Sequence, residues 1–116
     1  MAVTLIMRVP ELSPGRYDRM VAELDLDASP PPGLILHVAS EGVGAINMLE
    51  LWQTRQAAES FIEGRLQEAL RQYGVKQPLA FRLEPLHNLF VADEDVIRLI
   101  GRSSLPNGVR SRVRAS

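Results

Sequence analysis

Few side chains in this sequence can take or give a proton near neutral pH, and they occupy a small number of places. There are two histidines, His37 in the apolar run Leu34–Ala39 (LILHVA) and His87 in EPLHNLF. Histidine is the side chain whose ordinary titration range spans physiological pH, so either could be a general base or bind a phenolic hydroxyl. Glu50 stands two residues before the single tryptophan, Trp52, so on a strand the carboxylate and the indole project from one face. An acid beside an indole on a largely buried face is costly unless it is paired. Two partners are available: Arg8 on the first strand, or His37 across a hairpin. The second would be a histidine–carboxylate dyad in which the acid orients the base. A shift of one residue in hairpin register would separate the two, so register decides.

Around that pair we read Trp52 as core filling or as the wall of a pocket for a flat ligand. Tyr17 and Tyr73 fit buried helix stripes as core residues with their hydroxyls at the edge. Asn47 has an amide that could orient a substrate carbonyl. His87 and Asn88 lie where an apolar strand ends. An imidazole and an amide there suit backbone groups left loose at a sheet edge or subunit interface better than they suit catalysis.

The composition narrows the remaining classes. With 116 residues there is room for one domain, and 46% apolar with 23% charged residues is ordinary for a water-soluble globular chain. The net charge of −1 creates no field to gather nucleic acid or an anionic membrane, so neither is an expected partner. Absence of cysteine excludes disulfides, thiolate nucleophiles and cysteine-ligated metals. The two histidines lack metal-motif spacing, and no nucleotide-binding glycine motif is present. No stretch reads as a signal peptide or a membrane span, which leads us to expect a cytoplasmic protein.

The elements that would hold these residues follow from periodicity. Val3–Val9 reads as a strand, with Val3, Leu5, Met7 and Val9 on one face and Thr4, Ile6 and Arg8 on the other. Ser13-Pro14 is a helix start, and Tyr17, Met20, Val21 and Leu24 form its buried stripe. Leu34–Ala39 and Ala45–Trp52 read as strands joined by the glycine-bearing loop 40–44. Thr54 caps a long second helix with Ala58, Phe61, Ile62, Leu66, Ala69, Leu70 and Tyr73 inward, and Gly74 sits just past its end. Leu79–Leu86 completes a β-α-β-β-α-β order, the ferredoxin-like α+β arrangement with two helices on one face of four antiparallel strands. The other sheet face, carrying Ile6, Arg8 and some of Met48, Glu50 and Trp52, then needs a cover, and a symmetric homodimer supplies one. If Leu34, Leu36 and Val38 meet the helices, His37 points away from them. Residues 1–92 form the domain, 93–101 a short helix opened by three acids, and 102–116 a basic tail.

The element order, the phrase ELWQTRQAAESF (Glu50–Phe61) and the phrase PLHNLF (Pro85–Phe90) resemble the dimeric α/β-barrel superfamily. Within it they resemble the antibiotic-biosynthesis-monooxygenase-like proteins and their small uncharacterised relatives, over roughly residues 1–92. The resemblance implies a homodimer with a pocket in each subunit between sheet and helix. It also implies an apolar, aromatic or polyketide-like ligand, handled by a cofactor-independent monooxygenase or a cyclase, or bound without catalysis. Haem-degrading relatives carry an iron-ligating histidine nine or ten residues after the strand-three aromatic. Counting from Trp52 reaches Phe61 or Ile62, so no haem and no other cofactor is expected. On this reading His37 and Glu50 are the catalytic candidates, Trp52, Asn47 and Tyr17 the substrate-binding ones, and His87 and Asn88 structural.

Overall fold

Apolar alternation in Val3–Pro10 produces strand β1, whose exposure alternates between buried and accessible along its length. A computed structural model of the chain describes residues 1–26, 28–76, 79–93 and 95. After β1 come helix α1 (Pro14–Leu24), strands β2 (Leu34–Gly42) and β3 (Ala45–Trp52), a helical stretch beginning with α2 (Arg55–Phe61), and strand β4 (Phe81–Pro85). The four strands form one antiparallel sheet in the order β2-β3-β1-β4. This is the ferredoxin-like α+β fold. The short helix expected at 93–101 and the tail at 102–116 lie outside the described residues, apart from Asp93 and Asp95.

Local signals start and stop the elements as their chemistry dictates. The Ser13 hydroxyl accepts from the Arg16 N–H, and Pro14 occupies the first turn of α1. Thr54 caps α2 by accepting from the Ala57 N–H at 3.1 Å. Strand β2 runs three residues beyond the expected Ala39, so Val43-Gly44 alone turn the hairpin, with Gly44 at φ 67°. Gly33, at φ 90°, enters β2 so close to α2 that an added Cβ would lie 2.7 Å from the Ala57 methyl.

The second helix runs unbroken from Arg55 to Gln72 but changes its winding part-way. Ile62–Leu66 forms a π-helical turn, followed by α3 (Gln67–Gln72). Its buried residues explain why. Ala58, Ile62, Leu66 and Leu70 recur every four residues, and in an α-helix of about 3.6 residues per turn such a row drifts by about 40° at each step. A wider turn in the middle cancels the drift and keeps all four on the sheet. Arg65, in that turn, donates to the Leu24 carbonyl at 2.7 Å and the Ser29 carbonyl at 3.1 Å, tying it to the end of α1.

Register fixes which residues face the helices. Val3, Leu5 and Met7 of β1 stand opposite Trp52, Glu50 and Met48 of β3, so all six share the helix-covered face. The expectation that some of Met48, Glu50 and Trp52 would lie on the open face is therefore corrected. All three are buried, and the open face carries Asn47, Leu49 and Leu51 beside Thr4, Ile6 and Arg8. Arg8 on that side donates to the Val43 carbonyl and is no partner for Glu50. Phe61, 6% exposed and packed on Trp52 with ring centroids 5.4 Å apart, belongs to the core. Phe61→Ala should cost ~3–5 kcal/mol in urea unfolding. A loss below about 1 kcal/mol would put it among surface positions instead.

Candidate functional site

Strand β2 carries an irregularity between Leu34 and Leu36, where one residue is added relative to β3. Strict alternation would place Leu34 and His37 on opposite faces. The bulge lets both turn toward the helices, Leu34 packing on the core and His37 reaching α1. Leu36 and Val38 consequently lie on the open face, the reverse of the arrangement in which His37 would point away from the helices.

Beyond the bulge, register sets His37 directly opposite Glu50. Their side chains meet, with His37 Nδ1 and Glu50 Oε2 2.6 Å apart. Trp52 Nε1–H donates to the other carboxylate oxygen, Oε1, at 2.9 Å. On the far side of the imidazole, the Tyr17 hydroxyl lies 2.5 Å from His37 Nε2, the two ring planes within 6° of parallel. A carboxylate only accepts, so Nδ1 carries the hydrogen facing Glu50, and in the neutral imidazole Nε2 then accepts from the Tyr17 O–H. One chain of hydrogen bonds therefore runs from Trp52 on β3, through Glu50 and His37, to Tyr17 on α1.

Burial decreases along part of this chain. The Glu50 side chain is 3% exposed and that of His37 19%. The network thus has a sealed end at Trp52 and Glu50 and a partly accessible imidazole. Burial pushes the Tyr17 phenol well above its ordinary titration range, and the negative charges of Glu50 and, less, Asp18 push it further. Tyr17 accordingly stays a neutral hydroxyl that donates and accepts together.

The remaining candidates fall elsewhere. Trp52 has no exposed surface, so it holds Glu50 and fills the core and does not wall an open pocket. Asn47 is exposed on the opposite face of the sheet, between Arg8 and Ser40, and cannot orient a molecule beside His37. His87 and Asn88 are exposed where the chain leaves β4, just after the Leu86 N–H bonds the Ala2 carbonyl. Neither makes a hydrogen bond within the described residues, so any partner that His87 and Asn88 satisfy lies outside those residues. Among the described residues no three His, Asp or Glu side chains gather as a metal site, and no helix is long and apolar enough to cross a membrane.

Comparison with known proteins is informative at the level of fold. No protein-family model matches the sequence. No curated protein matches it either. Several solved structures do superpose. One is SnoaB, a cofactor-independent oxygenase from Streptomyces nogalater, at 15% identity over 76% of this chain and 95% of that one, with a TM-score of 0.56. The fold is that of the antibiotic-biosynthesis-monooxygenase-like proteins. A candidate antibiotic biosynthesis monooxygenase from Chloroflexus aurantiacus superposes over 79% of this chain and all of its own, at 20% identity and a TM-score of 0.53. A protein of unknown function from Nitrosomonas europaea does so over 79% and 96%, at 17% identity and a TM-score of 0.57. These identities carry the architecture and leave the chemistry to this chain's own residues.

The raised Tyr17 titration has a measurable consequence. An unfolded tyrosine ionises near pH 10, whereas the folded Tyr17 resists. As pH rises past that point the unfolded chain loses a proton that the folded chain keeps, so stability is intact below about pH 10 and falls above it. Urea unfolding at stepped alkaline pH should show this fall, and Tyr17→Phe should reduce it. An equal alkaline loss in both proteins would show that Tyr17 is not held neutral.

Proposed function

We propose that this protein is a homodimeric oxygenase of the cofactor-independent kind, acting on an apolar aromatic or polyketide-like molecule that bears a phenol or enol. The observation that carries this reading is the Glu50–His37 pair, a base held by a buried carboxylate on the sheet face beneath α1. Glu50 fixes the tautomer that leaves a basic lone pair on Nε2, and it stabilises the imidazolium that forms when that lone pair takes a proton. The substrate anion then supplies electrons to dioxygen. One oxygen atom ends as a new ring carbonyl and the other as water, so the protein itself is neither oxidised nor reduced. The likeness of fold to SnoaB supports the same class of chemistry. A polyketide-type cyclase would use the same base for enolisation.

A second reading, a binding or structural dimer without catalysis, draws on a different observation. Every polar side chain of Trp52, Glu50, His37 and Tyr17 is hydrogen-bonded within the set, as in a purely architectural network. The two readings part on one measurement. 1,8-Dihydroxyanthrone, an enolisable polycyclic phenol, should consume oxygen faster with the protein than without it. His37→Gln, which keeps an amide donor for Glu50, should cut that enhancement by about 10²–10⁴-fold, the usual contribution of a positioned base. No enhancement by the wild type, or full enhancement by the variant, would favour the architectural reading.

Homodimerisation through the open sheet face is supported by its side chains. Val38 and Leu49, directly paired across β2 and β3, are 45% and 40% exposed, beside Ile6 on β1. A second copy would cover them by two-fold symmetry. Leu49→Glu should convert the dimer to a folded monomer in sedimentation equilibrium, because an unpaired charge would otherwise be buried at the interface. A wild-type monomer at micromolar concentration would refute the dimer.

A further inference from the structure

The imidazole of His37 has no nitrogen open to a ligand. Nδ1 is taken by Glu50 at 2.6 Å and Nε2 by the Tyr17 hydroxyl at 2.5 Å. A molecule can therefore reach the base in two ways, by pushing Tyr17 aside or by working through it. Displacement is the harder route. Tyr17 is 8% exposed, part of the core, and sits on the buried stripe of α1 with Met20 and Val21. Swinging the ring out would uncover apolar surface and leave Nε2 without its partner.

We propose that Tyr17 is the catalytic residue that touches the substrate, its hydroxyl relaying the substrate's proton to His37, and that this relay selects molecules arriving as neutral phenols or enols. The proposal rests on the function proposed above and adds the contact residue and the charge state of the substrate. A hydroxyl donates one hydrogen and accepts on two lone pairs, so Tyr17 can hold Nε2 and still accept from a substrate O–H. The substrate's proton passes to the Tyr17 oxygen as the tyrosine's own proton passes to Nε2. No phenolate of Tyr17 forms, in keeping with the burial and the Glu50 charge that hold its phenol protonated. Afterwards Nε2–H donates to the Tyr17 oxygen, and the Tyr17 O–H points at the new oxyanion as a stabilising donor. The bonds balance: one substrate O–H is broken, one N–H is made, and the hydroxyl is restored.

Charge sets the substrate class. With His37 neutral, the Glu50 carboxylate leaves the site one negative charge in a buried setting. A carboxylate or phosphate arriving there would meet a like charge at close range, which is disfavoured. A neutral weak acid meets no such barrier, and its ionisation converts Glu50 and His37 into an ion pair beside the oxyanion.

Alizarin, a polycyclic phenol whose neutral and ionised forms differ in colour, tests the relay alongside nitrogen-15 NMR of the His37 ring. Bound to the wild type, the dye should ionise below its ordinary range while His37 becomes imidazolium. Tyr17→Phe keeps the ring in the core and removes the hydroxyl. It should still bind the dye, with ionisation moved up by at least about one pH unit, a tenfold change, and His37 left neutral. Ionisation by Tyr17→Phe equal to wild type would overturn the relay while leaving His37 as the base. Failure of the wild type to ionise the dye would overturn the proposed function, and the relay with it. Fluorotyrosine incorporated into Tyr73→Phe protein labels Tyr17 alone and retains its hydroxyl, since the chain has two tyrosines. Its fluorine resonance should move as the dye ionises, and a stationary resonance would overturn the relay even if Tyr17→Phe does not fold.

Discussion

A carboxylate on the inner face of a central strand is the constraint around which this structure is arranged. Glu50 is the one charged side chain buried in the core among the described residues. Left bare it would be intolerable, because burying an unpaired charge costs several kcal/mol or forces neutralisation. Both oxygens are met, one by the Trp52 indole two residues along the same strand, the other by His37 across the hairpin. Those two bonds make demands in turn. Trp52 must face inward, which sets the side of β3 that receives α2 and Phe61. His37 must face inward as well, which requires the bulge in β2.

The bulge also marks the limit of what could be read from residues alone. The strand and helix order, the caps at Ser13 and Thr54 and the stripe Tyr17, Met20, Val21 are local or periodic properties, and periodicity displays them directly. The pairing of His37 with Glu50 was one of two legible options, Arg8 being the other. What alternation could not reveal is one extra residue at Leu34–Leu36, which reverses the facing of everything after it. The same parity question put some of Met48, Glu50 and Trp52 on the open face and left Asn47 a substrate-binding candidate. In both strands apolar residues occupy even and odd positions alike, so composition does not choose a face. The choice comes from non-local pairing with Val3, Leu5 and Met7. Tyr17 was legible as a core residue near a site. Its bond to the imidazole depends on how α1 crosses the sheet, which no spacing within the sequence expresses.

Architecture and chemistry consequently separate in this protein. The sheet and its single layer of helices superpose on solved structures at 15–20% identity, so the fold tolerates replacement of most of its side chains. The hydrogen-bond network is more exacting. It draws one residue from α1, one from β2 and two from β3, and each must arrive with its polar atom at hydrogen-bond distance. A fold that accepts many sequences thus carries a site that depends on four particular side chains.

The π-helical turn at Ile62–Leu66 bears on the history a sequence of this kind can have. Remove one residue from that turn, and the inward positions now at 58, 62, 66 and 70 fall at intervals of four, three and four. That is the spacing of an unbroken α-helix. The wide turn therefore has the form of a single-residue insertion taken up without disturbing the packing on either side. Glu63 and Gly64, both exposed there, are where the chain can change its length by one residue and keep its core, so homologous helices are free to differ by one in length across this turn.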